Sequence, residues 1–413
     1  MTEKLDKHVL GNGMVILGES MEAVQSVAFG FMLPSGAARL PDGCGGAGNI
    51  IRDWIFRGAG KRDNRELVEA LDGLGLHRSS GVGSSHIMIG AVLEADNLGP
   101  ALELYADIIL RPRLEKEQFE LSRQLATQAL LGLDDDPRGK VGLKLREQFY
   151  PQPLGRSPFG SEDELKNLTA EKAGQIIKHS FKPSQIIFSV AGKYDFDRVC
   201  KQLENLFEDN TQNGLQEVTT GHKGEQYVHE QHDGAQVHIG VMTATVPVSN
   251  KDYYDARMAV SVLSGGMSAR LFTEVREKRG LCYAIGAHYH SLKDMAGIGC
   301  YAGTTPEKAQ ETLDVVLREF NRLTEGISDE EIETAKVKLK STLIMESESS
   351  SSRAGGIASD YYLLGRVRLL SEIKEKIEER TVESVLNFLR NNSFRDFTIV
   401  TVGPRDIKVR DKI

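Results

Sequence analysis

Apolar and polar positions follow two different periods along this chain, which predicts a mixture of β-strands and amphipathic helices. Short apolar runs bounded by Gly or Asn indicate strands, and apolar residues at three- and four-residue intervals indicate helices with one buried face. In the first half, strands are predicted within residues 8–18 and at 25–33, 76–82, 85–93 and 185–192, and helices at 46–57, 64–74, 97–111, 116–133 and 196–207.

The second half repeats this order of elements. Strands are predicted near 225–231, 236–243, 281–291 and 296–303, and helices near 251–263, 268–278, 306–325 and 328–345. A last strand at 396–402 corresponds to the strand at 185–192. Self-similarity at about 200 residues favours a duplicated α+β domain over a solenoid, whose repeats are ~20 to 50 residues long. We therefore predict two tandem homologous domains, 1–208 and 225–413, joined by a polar linker at 209–224.

Composition narrows the class of protein. A length of 413 residues suits two domains, and a net charge of −8 argues against nucleic acid or an anionic membrane as partner. No apolar run approaches a membrane span and the N-terminus lacks a signal-peptide pattern, so we expect a cytoplasmic protein without membrane insertion. The four cysteines are far apart and form no C-x-x-C pair, so neither a structural zinc site nor a disulfide framework is indicated.

The most strongly specified stretch is residues 264–283, which reads as a turn, a helix and a strand. Met267, Leu271 and Val275 share the predicted buried helix face, and Gly280 ends the helix. Arg276 and Tyr283 then flank the helix-to-strand turn. A guanidinium and a phenol placed there can hydrogen-bond a carbonyl of an extended ligand; alternatively, Arg276 caps helix carbonyls and Tyr283 is half-buried in the sheet.

Other polar clusters suggest structure more than chemistry. His229 and His232 fall on a predicted strand, where a three-residue separation places side chains on opposite faces, and the pair His288 and His290 lacks a third ligand. Asp134-Asp135-Asp136 before Pro137 is typical of a helix start. The serine-rich residues 346–353 are interpreted as a junction between polar helices.

Several short motifs occur in an order that resembles a known family. They are Leu10–Met14, Gly36–Arg39, Phe56–Arg62, Ala106–Pro112, Asp134–Pro137, Gly265–Tyr283 and Ser350–Ala354. On these motifs the chain resembles the pitrilysin family of inverted-motif zinc metallopeptidases, in the two-domain class with the mitochondrial processing peptidase. The resemblance implies that each domain is a mixed, mostly antiparallel sheet packed by helices, in a clamshell arrangement.

The zinc motif of that family is degenerate in this chain. Active members carry H-x-x-E-H on the first long helix, and the corresponding residues are Asn49-Ile50-Ile51-Arg52-Asp53. The third ligand, a Glu on a later helix, falls at or near Ala129. Arg52 cannot act as a base because its guanidinium stays protonated. We therefore expect no zinc in this chain and no peptide hydrolysis by it alone, with Arg52 and Asp53 on a polar or ion-paired helix face.

The resemblance also implies a division of labour between two subunits. In two-subunit bacterial members, the subunit without zinc contributes an Arg and a Tyr that contact the substrate main chain, and Arg276 and Tyr283 match that pair. We expect a non-catalytic, substrate-binding subunit that forms a heterodimer with a zinc-bearing homologous subunit, encloses an extended peptide and can form a homodimer when alone. The alternative is a structural or binding protein, like the respiratory-complex core subunits of this fold.

Overall fold

The structure is a computed structural model that describes residues 4–208 and 217–409. Its strands are β1 Lys4–Val9, β2 Val15–Ser20, β3 Ser26–Leu33, β4 His77–Val82, β5 Ile87–Glu94, β6 Ile187–Gly192, β7 Tyr227–Gln231, β8 Val237–Thr245, β9 Cys282–Ser291, β10 Ala296–Thr304 and β11 Thr398–Gly403.

The helices lie where the periodicity predicts them, with several more before β6 and before β11. They are α1 Ala47–Trp54, α2 Asn64–Asp72, α3 Leu98–Leu110, α4 Lys116–Leu131, α5 Pro137–Phe149, α6 Glu162–Asn167, α7 Ala170–Ser180, α8 Phe196–Leu206, α9 Tyr253–Ser264, α10 Ala309–Arg322, α11 Asp329–Ser347, α12 Ser350–Leu364, α13 Leu370–Glu378 and α14 Val382–Asn391. A π-helix spans Phe272–Glu277. None of these helices has the length and apolarity that a membrane span needs.

Two sheets in the described part of the chain share one strand order. The first sheet runs β1-β2-β6-β3-β5-β4 and the second β7-β11-β8-β10-β9. Each has one parallel pair, β2 with β6 and β7 with β11, and is otherwise antiparallel. From β2 onward the two orders correspond strand for strand, and β11 takes the place of β6. The prediction of a duplicated α+β domain is confirmed.

The compact units differ from the two continuous halves of the repeat. Unit 1 contains residues 1–132, 152–221 and 346–367, and unit 2 contains residues 133–151, 222–345 and 368–413. Each half of the chain thus contributes one helical segment to the other unit. Of the predicted linker, residues 209–216 lie outside the described residues, and residues 217–224 have no regular structure.

Helix α12 packs on the first sheet against β2, β3 and β6. Small side chains permit this close approach, because Ala354 of α12 lies against Ala28 and Ala191 of the sheet. Arg353 in the preceding position forms a buried ion pair with Glu19 of β2, with Nε 2.9 Å from both carboxylate oxygens and Nη2 2.6 Å from Oε2. The serine-rich run is a junction between helices, as predicted, since α11 ends at Ser347 and α12 begins at Ser350. Ser349 caps α12 by accepting the Ser352 N–H at 3.3 Å.

Helix α5 packs on the second sheet against β8 and β11. Its start follows the predicted pattern: Asp136 accepts the Gly139 N–H at 2.9 Å, and Pro137 occupies the first turn. The sheet beneath carries Gly240, where a Cβ would lie 2.5 Å from Val141 Cγ1. Glycine at this position lets the helix lie directly on the strand.

Each unit has its own apolar core. In unit 1, Phe31 and Phe188 have ring centroids 4.8 Å apart, as do Phe29 and Tyr105. In unit 2, the Phe320 and Phe397 rings are 5.4 Å apart. Apolar strand and helix faces predicted from the sequence period supply most of both cores.

Candidate functional site

The degenerate zinc motif lies on α1, a short helix of unit 1. Gly46 precedes it with φ +77°, and a Cβ there would meet the Phe159 carbonyl at 2.6 Å. Ile50, Ile51 and Trp54 of α1 are buried in the core. The remaining face presents Asn49, Arg52 and Asp53, so the three motif positions share the polar side of the helix.

The side chains at the motif positions are engaged in protein contacts. Asn49 Nδ2 donates to the Pro158 carbonyl at 2.9 Å. Arg52 Nη1 donates to both the carbonyl and the hydroxyl of Ser80 on β4, each at 3.2 Å. Arg52 therefore connects α1 to the edge strand of the first sheet.

Asp53 takes part in an ion pair, as predicted. Its Oδ2 accepts from Arg57 Nε at 2.5 Å and from Ser122 Oγ of α4 at 2.6 Å. Arg57 also reaches Gln118 at 3.4 Å, so α1 and α4 run antiparallel. In the same antiparallel arrangement, Asn49, one turn before Asp53, lies opposite position 126, one turn after Ser122. Ala129 lies beyond that position and is exposed.

These residues do not fit a zinc ion. Zinc in peptidases takes imidazole nitrogens and a carboxylate, whereas this site offers an amide, an ion-paired carboxylate, an alanine methyl and a guanidinium. The Arg52 guanidinium also brings a fixed positive charge to the place of the catalytic Glu. Elsewhere in the described residues, no group of three or more His, Cys, Asp or Glu side chains is arranged to hold a metal ion.

Arg276 and Tyr283 lie together at the edge of the second sheet. The π-helix carries Arg276 and ends before Gly280, whose φ is +56°, and Tyr283 follows at the start of β9. The Arg276 Cζ lies 5.2 Å from the Tyr283 ring centroid and 4.7 Å from that of Phe272. Cation–π contacts with two rings therefore hold the guanidinium.

The hydrogen-bonding groups of the pair are unoccupied by other described residues. Neither the Arg276 guanidinium nor the Tyr283 hydroxyl has a hydrogen bond or ion pair with any part of the chain that the structure describes, and Tyr283 is 80% exposed. The alternative interpretation, in which Arg276 caps helix carbonyls and Tyr283 is half-buried, is therefore wrong. The two groups are free to bind a ligand.

Two other arginines within residues 264–283 form ion pairs with carboxylates. Arg270 makes a bidentate pair with Glu331, with distances of 2.6 and 2.9 Å. Arg279 Nη1 lies 2.6 Å from Glu274, and this bond together with that from Lys278 lowers the pKa of Glu274 to about 2. Glu331 and Glu274 are thus already paired with other cations, and Arg276 has no ion pair with the described residues.

Met267 departs from the sequence prediction. It was expected on the buried face with Leu271 and Val275, and those two residues are buried, but Met267 is 73% exposed. The helix begins only at residue 270, so Met267 belongs to the preceding turn. Ser268 is a residue type that often caps helices, but the start of the π-helix has no side-chain cap.

A cavity of about 590 Å³ opens beside the pair in unit 2. It is lined by Arg276, by residues 283–288 of β9 and by parts of α5, β8 and β10. The cavity lies in the size range of sites for small organic ligands or short peptide segments. Strand β9 is also the last strand of the sheet.

Two histidines on the same face of β9 are neutral at physiological pH. Burial, and then the nearby Arg146, lowers the pKa of His288. Burial, followed by Arg146 and His288, lowers the pKa of His290 to about 4, and its Nδ1 lies 2.7 Å from Tyr150 Oη. These imidazoles are packed in the sheet and meet no metal-ligating partners among the described residues.

The remaining histidine pair is also structural. His229 Nδ1 lies 2.9 Å from Thr401 Oγ1 within the sheet, and His232 Nε2 lies 3.0 Å from the Asp134 carbonyl. The two imidazoles therefore have separate partners.

Sequence reasoning missed some residues of the site. Phe272 precedes Arg276 by four residues, a helical spacing that would have indicated the contact. Arg138 and Tyr301 also line the cavity, but they come from α5 and β10 and only the fold brings them there. Ser122, the partner of Asp53, had no sequence signal.

Two family models match consecutive parts of the chain. The model described as "Insulinase (Peptidase family M16)" matches residues 15–161, and the model described as "Peptidase M16 inactive domain" matches residues 167–339. The first match contains Asn49–Asp53 and the second contains Arg276 and Tyr283. The chain belongs to peptidase family M16. The family resemblance predicted from the sequence is confirmed.

Curated M16 relatives align over nearly the whole chain. A protein of Rickettsia felis named "Uncharacterized zinc protease" is 26% identical over 414 residues, which cover 99% of this chain and 100% of that protein. A protein of Bacillus subtilis named "Uncharacterized zinc protease YmxG" is 24% identical over 408 residues, covering 97% and 98%. Those names describe the relatives; in this M16 member the motif positions hold Asn49, Arg52 and Asp53.

Solved structures share the M16 fold at low identity. A crystal structure of a peptidase M16 inactive domain from Pseudomonas fluorescens has a TM-score of 0.88 at 17% identity and covers 98% of this chain and 99% of its own. A protease from Helicobacter pylori gives 0.88 at 19%, covering 97% and 100%. A chain of Complex III2 from Candida albicans gives 0.82 at 20%, covering 97% and 96%. At these identities the similarity establishes the fold.

Proposed function

We propose that this M16 member is a non-catalytic, substrate-binding subunit of a heterodimeric zinc peptidase. Its partner is a homologous subunit that carries the zinc ion on an intact H-x-x-E-H motif. This chain supplies Arg276 and Tyr283, which donate hydrogen bonds to the main-chain carbonyls of an extended peptide at the partner's active site.

The observation that carries the proposal is that the hydrogen-bond donors of Arg276 are unused within the described residues. Two aromatic rings position its guanidinium without occupying a single N–H donor, while Arg270 and Arg279 in the same block are held by carboxylates. A side chain kept for structure would be expected to use its donors within the protein. The exposed Tyr283 hydroxyl extends the same donor surface.

The degenerate motif supports an assisting role. Asn49 and Asp53 are held by protein partners and Arg52 is a permanent cation, so the chain supplies neither the metal ligands nor the general base that peptide hydrolysis by this family needs. Cleavage then requires another chain.

Reconstitution tests the proposal. The chain would be co-expressed with an M16 homologue from the same genome that retains H-x-x-E-H, and cleavage of an internally quenched, unstructured peptide would be measured for each subunit alone and for the pair. We expect activity with the pair and none with this chain alone. Arg276→Ala should lower kcat/KM on the order of a hundredfold and Tyr283→Phe on the order of tenfold, because each removes a donor to the developing oxyanion.

Arg279→Ala is the matched control, since this arginine is three positions away but bonds to Glu274. It should leave kcat/KM within about twofold of the unmutated pair. Size-exclusion chromatography would verify that all variants still assemble. Full activity in both Arg276→Ala and Tyr283→Phe would exclude the proposed role.

A second candidate function is a structural or binding role without peptidase activity. The similarity in fold to a chain of Complex III2 favours it. Under this alternative the chain co-purifies from native cells in an assembly that cleaves no peptide, and neither Arg276→Ala nor Tyr283→Phe changes the assembly. Co-purification followed by a cleavage assay distinguishes the two candidates.

A further inference from the structure

The cavity beside Tyr283 has a floor of sheet residues that includes Gly240 and Gly286. Strand register places Gly286 of β9, Tyr301 of β10 and Gly240 of β8 opposite one another, and Gly299 opposite His288. Residues directly opposite each other share a sheet face. At Gly240, α5 fills the space that a side chain would take. At Gly286, a Cβ would meet only Ser264 Oγ at 3.8 Å, so this part of the floor is open.

Cations surround this floor without carboxylate partners. Arg138 and Arg276 line the cavity, and among the described residues its lining includes no Asp or Glu. The Arg138 Cζ lies 4.9 Å from the Tyr301 ring centroid, and this guanidinium has no hydrogen bond or ion pair with the described chain. Asp136, nearby at the start of α5, is engaged as the helix cap. Two guanidiniums therefore present unused donors to one space.

The rest of the wall is apolar. Val141 and Leu145 of α5 form one side, and Ala284 with the open face of Gly286 forms the other. His288 adds a neutral imidazole, because burial and Arg146 lower its pKa. A ligand that suits this lining has an apolar body and one anionic group, since a guanidinium fork matches a carboxylate in geometry and charge.

We propose that this cavity binds a carboxylate at the end of an apolar body, such as the free C-terminus of a peptide whose last side chain is large and apolar. Arg138 and Arg276 hold the carboxylate and the glycine floor receives the apolar body. This inference rests on the proposed function, because it names the part of a peptide that is bound and Arg276 takes part in both. It requires no partner subunit and no cleavage.

Binding to the isolated full-length chain tests this inference. Isothermal titration calorimetry would compare acetyl-Ala-Ala-Leu-Phe with a free carboxylate, the same peptide as its C-terminal amide, and decanoate. We expect the free acid to bind on the order of tenfold more tightly than the amide, as loss of a charge-assisted bidentate contact implies. Tighter binding of decanoate than of the peptide acid would identify a fatty acid as the natural source of the same chemistry.

Two variants locate the site. Arg138→Ala should weaken the acid on the order of tenfold while leaving the amide unchanged. Gly286→Leu should weaken acid and amide alike, because the new side chain fills open space above the floor. Arg318→Ala, an exposed arginine on α10 outside the lining, is the control and should bind as the unmutated chain does. Circular dichroism would verify folding.

Three results would overturn the inference: no binding of either carboxylate probe, equal affinity for acid and amide, or unmutated affinity in both Arg138→Ala and Gly286→Leu. The cleavage assay of the reconstituted pair is a separate measurement. If Arg276→Ala abolishes cleavage but the chain binds no carboxylate, the cavity site is rejected and the proposed function stands. If the chain binds the carboxylate but Arg276→Ala leaves cleavage unchanged, the proposed function is rejected and the cavity site stands.

Discussion

At the scale of single residues, Glu19 and Arg353 form a buried ion pair in unit 1. Their side chains are buried on the face of the sheet that also carries Ala28 and Ala191. Burying two charges is favourable only when each satisfies the other, as the bidentate geometry does here. Removal of one partner leaves an unpaired buried charge.

We predict that Arg353→Ala lowers the free energy of unfolding of unit 1 by about 3 to 5 kcal/mol. The double variant Glu19→Leu, Arg353→Met should cost less than this single change, because no charge remains buried. Trp54, the sole tryptophan, lies in unit 1, so its fluorescence during urea unfolding reports on this unit. A single variant as stable as the unmutated chain would contradict the prediction.

His86 makes the stability of unit 1 depend on pH. It is buried beside the Tyr362 ring, with centroids 4.5 Å apart, and burial, aided by Arg39, lowers the pKa of His86 from 6.5 to about 3. Between these values the unfolded chain binds more protons than the folded chain. Stability from the neutral imidazole is therefore complete above pH 6.5 and declines as the pH falls towards 3.

We predict that unit 1 loses about 2 kcal/mol between pH 6.5 and pH 5 through His86, at about 1.4 kcal/mol per pH unit. His86→Gln should remove this part of the slope in urea titrations followed by Trp54. His77→Gln, at an exposed position on β4, should leave the slope unchanged. Equal slopes in the unmutated chain and His86→Gln would refute the assignment.

At the scale of helices and strands, close packing of exchanged helices depends on small residues in the sheets. Gly240 accommodates Val141 and Leu145 of α5, with a hypothetical Cβ only 2.5 and 3.2 Å from their side chains. The glycine is thus required by a helix that lies far away in sequence. Its role is steric.

We predict that Gly240→Ala destabilises unit 2 by roughly 1 to 3 kcal/mol, since α5 must shift to admit the new methyl. Gly142→Ala is the matched change on α5 itself, where a Cβ meets nothing within 4 Å. It should stabilise the helix by about 0.5 to 1 kcal/mol. Thermal unfolding followed by circular dichroism compares the two, and a neutral Gly240→Ala would show that α5 packs less tightly than described.

The sequence allowed most elements to be predicted, because period and cap signals are local. Asp136 before Pro137 and the strand at Thr398–Gly403 are examples. The function of Gly240 could not be predicted, since it depends on where α5 packs. The place of Arg138 in the cavity lining could not be predicted for the same reason. The position of Met267 was not predicted correctly because the helix begins only at residue 270, after the turn that contains Met267. Arg276 and Tyr283 could be singled out because both lie within one continuous block.

At the scale of the whole molecule, the duplicated chain is divided into units that exchange helices. Residues 346–367 complete unit 1 and residues 133–151 complete unit 2. Neither half of the sequence therefore contains all the elements of one unit. The sequence repeat revealed the duplication, but exchange depends on where α5 and α12 pack, which no local pattern encodes.

We predict that residues 1–208 and 225–413, expressed separately, are insoluble or aggregate, because each sheet lacks the helix that covers one of its apolar faces. Co-expression of the two fragments should recover soluble protein that elutes as one species. Two fragments that are each soluble and monomeric would show that the exchanged helices are dispensable for folding.

The pairing of Glu19 with Arg353 also affects the order in which the chain can fold during its synthesis. The two residues are 334 positions apart. At the usual rates of translation of about 5 to 20 residues per second, the carboxylate is made roughly 20 to 70 s before its counterion exists. Until then Glu19 must stay hydrated, so the first sheet cannot close over it. The first sheet therefore cannot be completed until residue 353 has been made, and the nascent chain carries an open apolar face during that interval.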